Sequence, residues 1–206
     1  MYQTMSMSLF DTSKIIKLPL QDATIEYHPQ FFSFEEANTL FDELYQNTPW
    51  IEEDIRVYGK VYKQPRLTAF FANNQKKYGY SNISMTPHPF SPLLNTIKTK
   101  IETACETQFS SCLLNLYRDG QDSNGWHADD EKELGLNPVI ASLSLGAERF
   151  FHLKHKKIKT LKHKLNLQNG SLLLMKDATQ HHWLHQIPKT KKPIGKRINL
   201  TFRLLK

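Results

Sequence analysis

The sequence predicts an α+β chain in which two N-terminal helices buttress a mainly antiparallel double sheet. Three observations predict it. Residues 34–47 carry apolar side chains at helical spacing behind a capping signal. Residues 92–104 repeat that spacing behind a second cap. After about residue 112 the texture changes to short alternating runs broken by turn residues, the pattern of a sandwich or barrel.

The elements follow in order. Ser33 at a cap position and Glu36 three residues later can satisfy each other's backbone N–H groups. Ala37, Leu40, Phe41 and Leu44 then line one face, and Pro49 lies just past the helix expected over 34–47. IRVYGKVYKQPRLTAFF (55–71) alternates like a hairpin with its turn near Gly59-Lys60. Ser91 caps a second helix with Pro92 in its first turn, and Leu93, Leu94, Ile97, Ile101 and Ala104 form its stripe. Strands are expected at 112–117, 139–145, 149–154, 162–167, 171–176, 183–187 and 197–204. The 206 residues read as one domain, with helices and hairpins over 1–110 and the sheet core over 111–206.

Composition bounds the partners. With 39% hydrophobic and 11% aromatic residues, the chain can fill a core, and its mean hydropathy is -0.52. No apolar run approaches the roughly 18 residues that span a bilayer, and no secretory signal stands at the N-terminus, so the expectation is an intracellular monomer without membrane contact. Cys105 and Cys112 are too few for a disulfide framework and suit a reducing compartment as core thiols. The net charge is +7 and the pI about 9.3. Much of the excess sits in KHKKIKTLKHK (154–164) and KTKKPIGKR (189–197), a clustering that favours a polyanion.

The chemistry-bearing stretch is GWHADDE (125–131). In extended chain His127 and Asp129 share a face while Ala128 points away. A second histidine would complete a two-His-one-carboxylate set, which leaves three metal positions open; a surface turn is the plain alternative. His152, His155, His163, His181, His182 and His185 are available. The first three lie in or beside the lysine run, and His181 and His182 read as a turn. His185, in an apolar strand with Leu184 and Ile187, is best placed to face a cavity. RINLTFRLL (197–205) sets Arg197, Asn199, Thr201 and Arg203 on one face and Ile198, Leu200, Phe202 and Leu204 on the other. That is either a half-solvated strand or two fixed guanidiniums lining a pocket for a small di-acid. Asn115 and Tyr117 repeat the pattern between Leu114 and Leu116.

The ordered segments NLY (115–117), GWHADDE (125–131), IASLSLGAERFF (140–151), GSLLLM (170–175), TQHHWLH (179–185) and RINLTFR (197–203) resemble the AlkB family of Fe(II)- and 2-oxoglutarate-dependent dioxygenases. The resemblance implies a double-stranded β-helix, or jelly-roll, core. It implies oxidative removal of N-alkyl groups from DNA bases such as 1-methyladenine and 3-methylcytosine, with release of formaldehyde. By the same resemblance His127, Asp129 and His185 would bind Fe(II), and dioxygen would take an open position. Arg197 would hold the distal carboxylate of 2-oxoglutarate with Tyr117 and Asn199, and Arg203 and Asn115 would serve its metal-side carboxylate. RNA or a protein side chain as substrate, or a nucleic-acid-binding protein with a vestigial iron site, are the alternatives.

VYGKVYKQPR (57–66) and YGYSNISMTPHPF (78–90) resemble the branch that repairs double-stranded DNA. Base flipping is a physical requirement there, because a duplex hides the alkylated edge. Tyr58 would fill the gap left by the flipped base, where the family commonly has Phe. Tyr80 would stack on that base and Glu131 would meet its edge. Tyr78 and Arg66 would belong to the lid, Arg66 near the lesion strand. Lys154, Lys156, Lys157 and Lys159 would grip phosphates of the opposite strand. Asp130 reads as structural.

Overall fold

The computed structural model describes residues 15–57, 60–73, 78–80 and 83–206. The strands are β1 (Ile16–Lys17), β2 (Thr24–His28), β3 (Asp54–Val57), β4 (Lys60–Lys63), β5 (Leu67–Ala72), β6 (Tyr78–Tyr80), β7 (Ile83–Met85), β8 (Ser111–Tyr117), β9 (Asn124–His127), β10 (Ile140–Gly146), β11 (Arg149–His155), β12 (Lys162–Leu167), β13 (Leu172–Lys176), β14 (Trp183–Ile187) and β15 (Arg197–Arg203). The helices are α1 (Phe34–Asn47), α2 (Pro92–Cys105) and the single turn α3 (Thr179–His182). A seven-stranded sheet in the order β1-β2-β13-β10-β15-β8-β5 faces a four-stranded sheet in the order β12-β11-β14-β9. Their paired strands run antiparallel. Two small hairpins, β3-β4 and β6-β7, complete the described residues.

Period-two patterning decides which side chains face the space between the sheets. On β15, Ile198, Leu200 and Phe202 pack into the helix-side core with Leu114, Leu116 and Leu143. Arg197, Asn199, Thr201 and Arg203 point the other way, yet all four are also buried. This strand is therefore covered on both faces, by helices behind and by the smaller sheet in front. A second apolar cluster, including Leu173, Met175, Phe151 and Leu153, joins the two sheets.

The helices hold the back of the larger sheet. Ser33 Oγ accepts from Glu36 N at 3.2 Å, and Glu36 Oε2 accepts from Ser33 N at 2.8 Å, closing the expected capping box. Leu94, Ile97 and Ile101 of α2 are fully covered, each contributing roughly 1.5–3 kcal/mol of apolar burial. At the end of β10, Gly146 adopts φ +82° where the chain leaves the larger sheet for the smaller one. A Cβ there would sit 2.6 Å from Lys196 O and 2.7 Å from the Phe41 ring, so only glycine fits.

The expected helices and the seven C-terminal strands are present, with ends shifted by a residue at most. The partition at residue 110 does not describe the sheet, however. Its β1, β2 and β5 all precede that point. β5 pairs with β8 instead of extending the hairpin from 54–63, because Thr68, Ala69, Phe70 and Phe71 are buried and need a sheet neighbour. In β3-β4, Val57 pairs with Lys60, and Tyr58 and Gly59 lie outside the described residues.

Candidate metal centre

β9 and β14 pair so that His127 stands directly opposite His185, with ring centroids 4.2 Å apart. Both project into the space between the sheets, and the Phe151 ring stacks on His185 at 5.1 Å. Asp129 follows β9 by two residues. Its N–H donates to Gln180 Oε1 at 2.9 Å, which ties the segment to α3. Its Oδ1 accepts from Arg203 Nη2 at 2.9 Å. One ligand atom from each of His127, Asp129 and His185 lies within 4.8 Å of the others.

Hydrogen bonding sets the tautomer. His127 Nδ1 lies 2.7 Å from Gly125 O; a carbonyl only accepts, so the proton sits on Nδ1 and the lone pair on Nε2. A ring N–H on a backbone carbonyl is the usual arrangement behind a metal-ligating histidine. Asp22, His155 and His182 form a second cluster within 4.8 Å among the described residues, and there the same test gives the opposite result. His155 Nδ1 accepts from the N–H groups of Lys157 at 3.2 Å and Ile158 at 2.9 Å. Its proton is therefore on Nε2, aimed at Asp22 Oδ2 at 3.3 Å. That cluster is a hydrogen-bonded pair with a neighbouring ring, and it offers no lone pair from His155.

Electrostatics complete the first set. Burial pushes His185 down to about 3 and lowers His127 as well. Burial works against the Asp129 carboxylate, but the Arg203 guanidinium and the two rings hold it at about 2. At neutral pH the site offers two neutral imidazoles and one carboxylate, the protonation state a divalent metal requires. The donor set fits Fe(II).

The floor of the site is a polar row across three strands. Arg197 pairs with Tyr117 and Asn199 with Asn115 across β15-β8, while Ser144 and Ser142 come from β10. Arg197 is 1% exposed, and its Nη2 donates to Ser144 Oγ at 2.9 Å. Its Nε and Nη1 find no hydrogen-bond acceptor among the described residues. Burial depresses this guanidinium to about 10. A buried cation with unused donors is what a ligand carboxylate would satisfy bidentately. Asn199 donates to Ser142 Oγ at 2.8 Å and Leu143 O at 3.1 Å, and accepts from Thr201 Oγ1 at 3.0 Å. One cavity, partly open to solvent, is lined by the three candidate metal ligands together with Asn115, Tyr117, Arg197, Asn199 and Arg203.

A family model for the 2OG-Fe(II) oxygenase superfamily matches residues 24–203. The chain is 41% identical over 190 residues to human alpha-ketoglutarate-dependent dioxygenase alkB homolog 3, covering 85% of this chain and 64% of that one. It is 35% identical over 182 residues to human DNA oxidative demethylase ALKBH2, covering 84% and 70%. The chain belongs to the AlkB family. It spans just under two thirds of the alkB homolog 3 proteins it matches, 62% for the rat protein. Among solved structures, that of OsALKBH1 shares the fold, with a TM-score of 0.66 at 15% identity over 93% of this chain and 100% of that one.

Of the residues that the AlkB resemblance singled out, the metal and cosubstrate sets meet in one cavity, and one of the proposed DNA contacts, Arg66, is turned inward. Arg66 is 3% exposed and donates to Asn115 Oδ1 at 2.7 Å and Ser123 O at 3.1 Å. It belongs to the floor, because β5 carries its base inward against β8, and it is not a lid residue reaching a strand. Lys156 Nζ is engaged by Asp130 Oδ2 and Gln180 O, each at 2.9 Å, which also gives Asp130 its structural role. Lys157 and Lys159 are exposed on the turn between β11 and β12, and Lys154 lies over the Trp126 ring. Glu131 occupies the N-cap position of the 3-10 turn Lys132–Leu134 without a side-chain capping bond. Tyr78 and Tyr80 pair with Met85 and Ile83 across β6-β7, and Tyr58 lies outside the described residues.

Sequence reading missed Ser142, Ser144 and Gln180. The serines left a signal in the alternation of IASLSLG. Gln180 left none, since its partner, the Asp129 N–H, lies 51 residues away.

Proposed function

We propose that the chain is an oxidative DNA repair demethylase that removes N-alkyl groups, such as those of 1-methyladenine and 3-methylcytosine, from DNA. The observation that carries this reading is the convergence of a metal-competent His127-Asp129-His185 set and the unsaturated Arg197 guanidinium on one cavity. The names of the relatives, DNA oxidative demethylase and alpha-ketoglutarate-dependent dioxygenase, supply the substrate and cosubstrate. Bound Fe(II), with 2-oxoglutarate and dioxygen, would supply oxidation of the N-alkyl carbon, which leaves as formaldehyde.

The chain's own residues position and exclude. His127, Asp129 and His185 hold the metal, and Arg203 keeps Asp129 ionised and aimed. Arg197 receives the distal carboxylate of 2-oxoglutarate, steadied by Ser144 and walled by the Tyr117 ring, whose centroid lies 5.1 Å from the guanidinium carbon. Asn115 and Arg203 serve the other carboxylate, and the Asn199 amide braces the row. Phe151, Met175 and Leu167 keep water from the inner wall. Tyr80 stacks on the flipped base, Glu131 meets its edge, Tyr58 and Tyr78 fill and border the gap, and Lys157 and Lys159 contact phosphates.

The test is turnover of 1-methyladenine in matched single-stranded DNA, duplex DNA and RNA, with Fe(II) and 2-oxoglutarate. Formaldehyde and restored adenine are expected with DNA and not with a His127→Ala variant. Equal product from that variant, no product from any substrate, or a strong preference for RNA would each overturn the reading.

A further inference from the structure

The smaller sheet has an outer face that no part of the proposed chemistry uses. Cross-strand partners share a face, and the register pairs Phe150 with Asn166, His152 with Lys164, and Lys154 with Lys162. These residues therefore lie together, opposite the buried Phe151 and Leu153. Trp126 joins them from β9, because its neighbour His127 faces inward. The face is aromatic as well as basic. Trp126 is 39% exposed and Phe150 42%, and each ring carries a lysine, Lys154 Nζ at 4.3 Å and Lys164 Nζ at 3.6 Å from the centroids. Glu148, at the edge, is held by Asn166.

We propose that this outer face binds the unpaired DNA strand flanking the lesion, with Trp126 and Phe150 as stacking platforms and Lys154, Lys162 and Lys164 facing its phosphates. This rests on the reading that the substrate is DNA. Exposed rings within a basic field are the two components of sequence-tolerant single-strand binding, because every base has a π-face and every link a charge. The spacing selects single strands. Two inter-strand steps of roughly 4.8 Å and two residues of roughly 3.4 Å separate the two rings by about 12 Å. That is more than three times the roughly 3.4 Å rise of a stacked duplex strand, so the platforms suit a strand with splayed bases. Trp126 stands on β9, the edge strand of the smaller sheet, with its ring on the face opposite the inward-pointing His127. A groove lined by Phe150, His152 and Lys164 continues that face away from the metal.

The experiment is fluorescence anisotropy with an unmodified, labelled oligothymidylate, using the full chain and its Phe150→Leu, Trp126→Leu and Lys164→Gln variants. Leucine keeps the strand apolar and removes only the stacking surface. Each aromatic replacement should weaken binding about five- to a hundredfold. Lys164→Gln should lower the salt slope by about 0.7. Repair of a lesion-bearing dinucleotide, too short to reach Phe150, should match the parent in Phe150→Leu. Unchanged oligothymidylate binding in both aromatic variants overturns the proposal, as does a parallel loss of dinucleotide turnover in Phe150→Leu, which would mark the residue as part of the pocket. A parent that binds the oligonucleotide through these residues but repairs nothing would fail the functional reading and leave the face standing.

Discussion

Arg203 and Asp129, 74 residues apart in the chain, form an ion pair at 2.9 Å with side chains only 4% and 2% exposed. The pair makes the candidate metal-binding carboxylate part of the folding energetics. Two charges are out of water together, and removing one strands the other. Asp129→Ala should therefore destabilise the metal-free protein by about 3–5 kcal/mol, read by urea denaturation. His127→Ala, whose neutral ring bonds Gly125 O and the Asn124 amide within its own strand, should cost clearly less. Equal stability of Asp129→Ala and the parent would show that the pair contributes nothing to folding.

Arg197 should behave in the opposite way. Its guanidinium is buried with unused donors and is depressed to about 10. Replacing it by Met should leave the melting temperature of the ligand-free protein unchanged or raise it, because an ill-matched buried cation is removed. The same change should weaken 2-oxoglutarate binding at least tenfold, since a charge-assisted hydrogen bond contributes about 1.5–3 kcal/mol. Calorimetric titration checks the affinity, and an unaltered value would remove Arg197 from cosubstrate binding.

The two histidine clusters should separate in a metal titration. One Mn(II), used as a redox-stable stand-in for Fe(II), is expected per chain, abolished by His127→Ala and untouched by Asp22→Asn. A second equivalent lost in Asp22→Asn would contradict the tautomer deduced for His155.

Asp122 governs the turn that leads into β9. Its Oδ2 accepts from Arg118 N and Nε at 2.8 Å each, and its Oδ1 from Arg118 Nη2 at 2.9 Å. Burial works against the carboxylate, but these bonds hold it below the usual range. Being lower in the folded state, its contribution is fully present above the unfolded value of 3.8 and is lost as pH falls through the folded value. The melting temperature of Asp122→Asn should thus lie below the parent's at neutral pH, with the gap closing in acid. A gap independent of pH would exclude this linkage.

Much of the site was legible because it is written at period two. RINLTFR displays its two arginines and their apolar backs without any structure, and His127 and Asp129 declare a shared face. Seven strands and two helices were readable from alternation, caps and turn residues. The strands at 16–17 and 24–28 were not, since two or five residues carry too little periodicity. The inward turn of Arg66 was not readable for a related reason. A cation looks the same in sequence whether it meets phosphate, an asparagine 49 residues away or an aspartate 26 residues away.

By itself the sequence determined which residue types face which way along each strand, and so put Arg197, Asn199, Thr201 and Arg203 on one face and His127 with Asp129 on another. The tertiary structure alone decided that both faces of β15 are covered, that His185 lands opposite His127, and that the Nδ1 proton of His127 rests on Gly125 while that of His155 is displaced to Nε2. Direction along a strand is a local consequence of backbone geometry. Burial, cross-strand register and proton position depend on groups brought together from distant parts of the chain, and they exist only once the two sheets have closed.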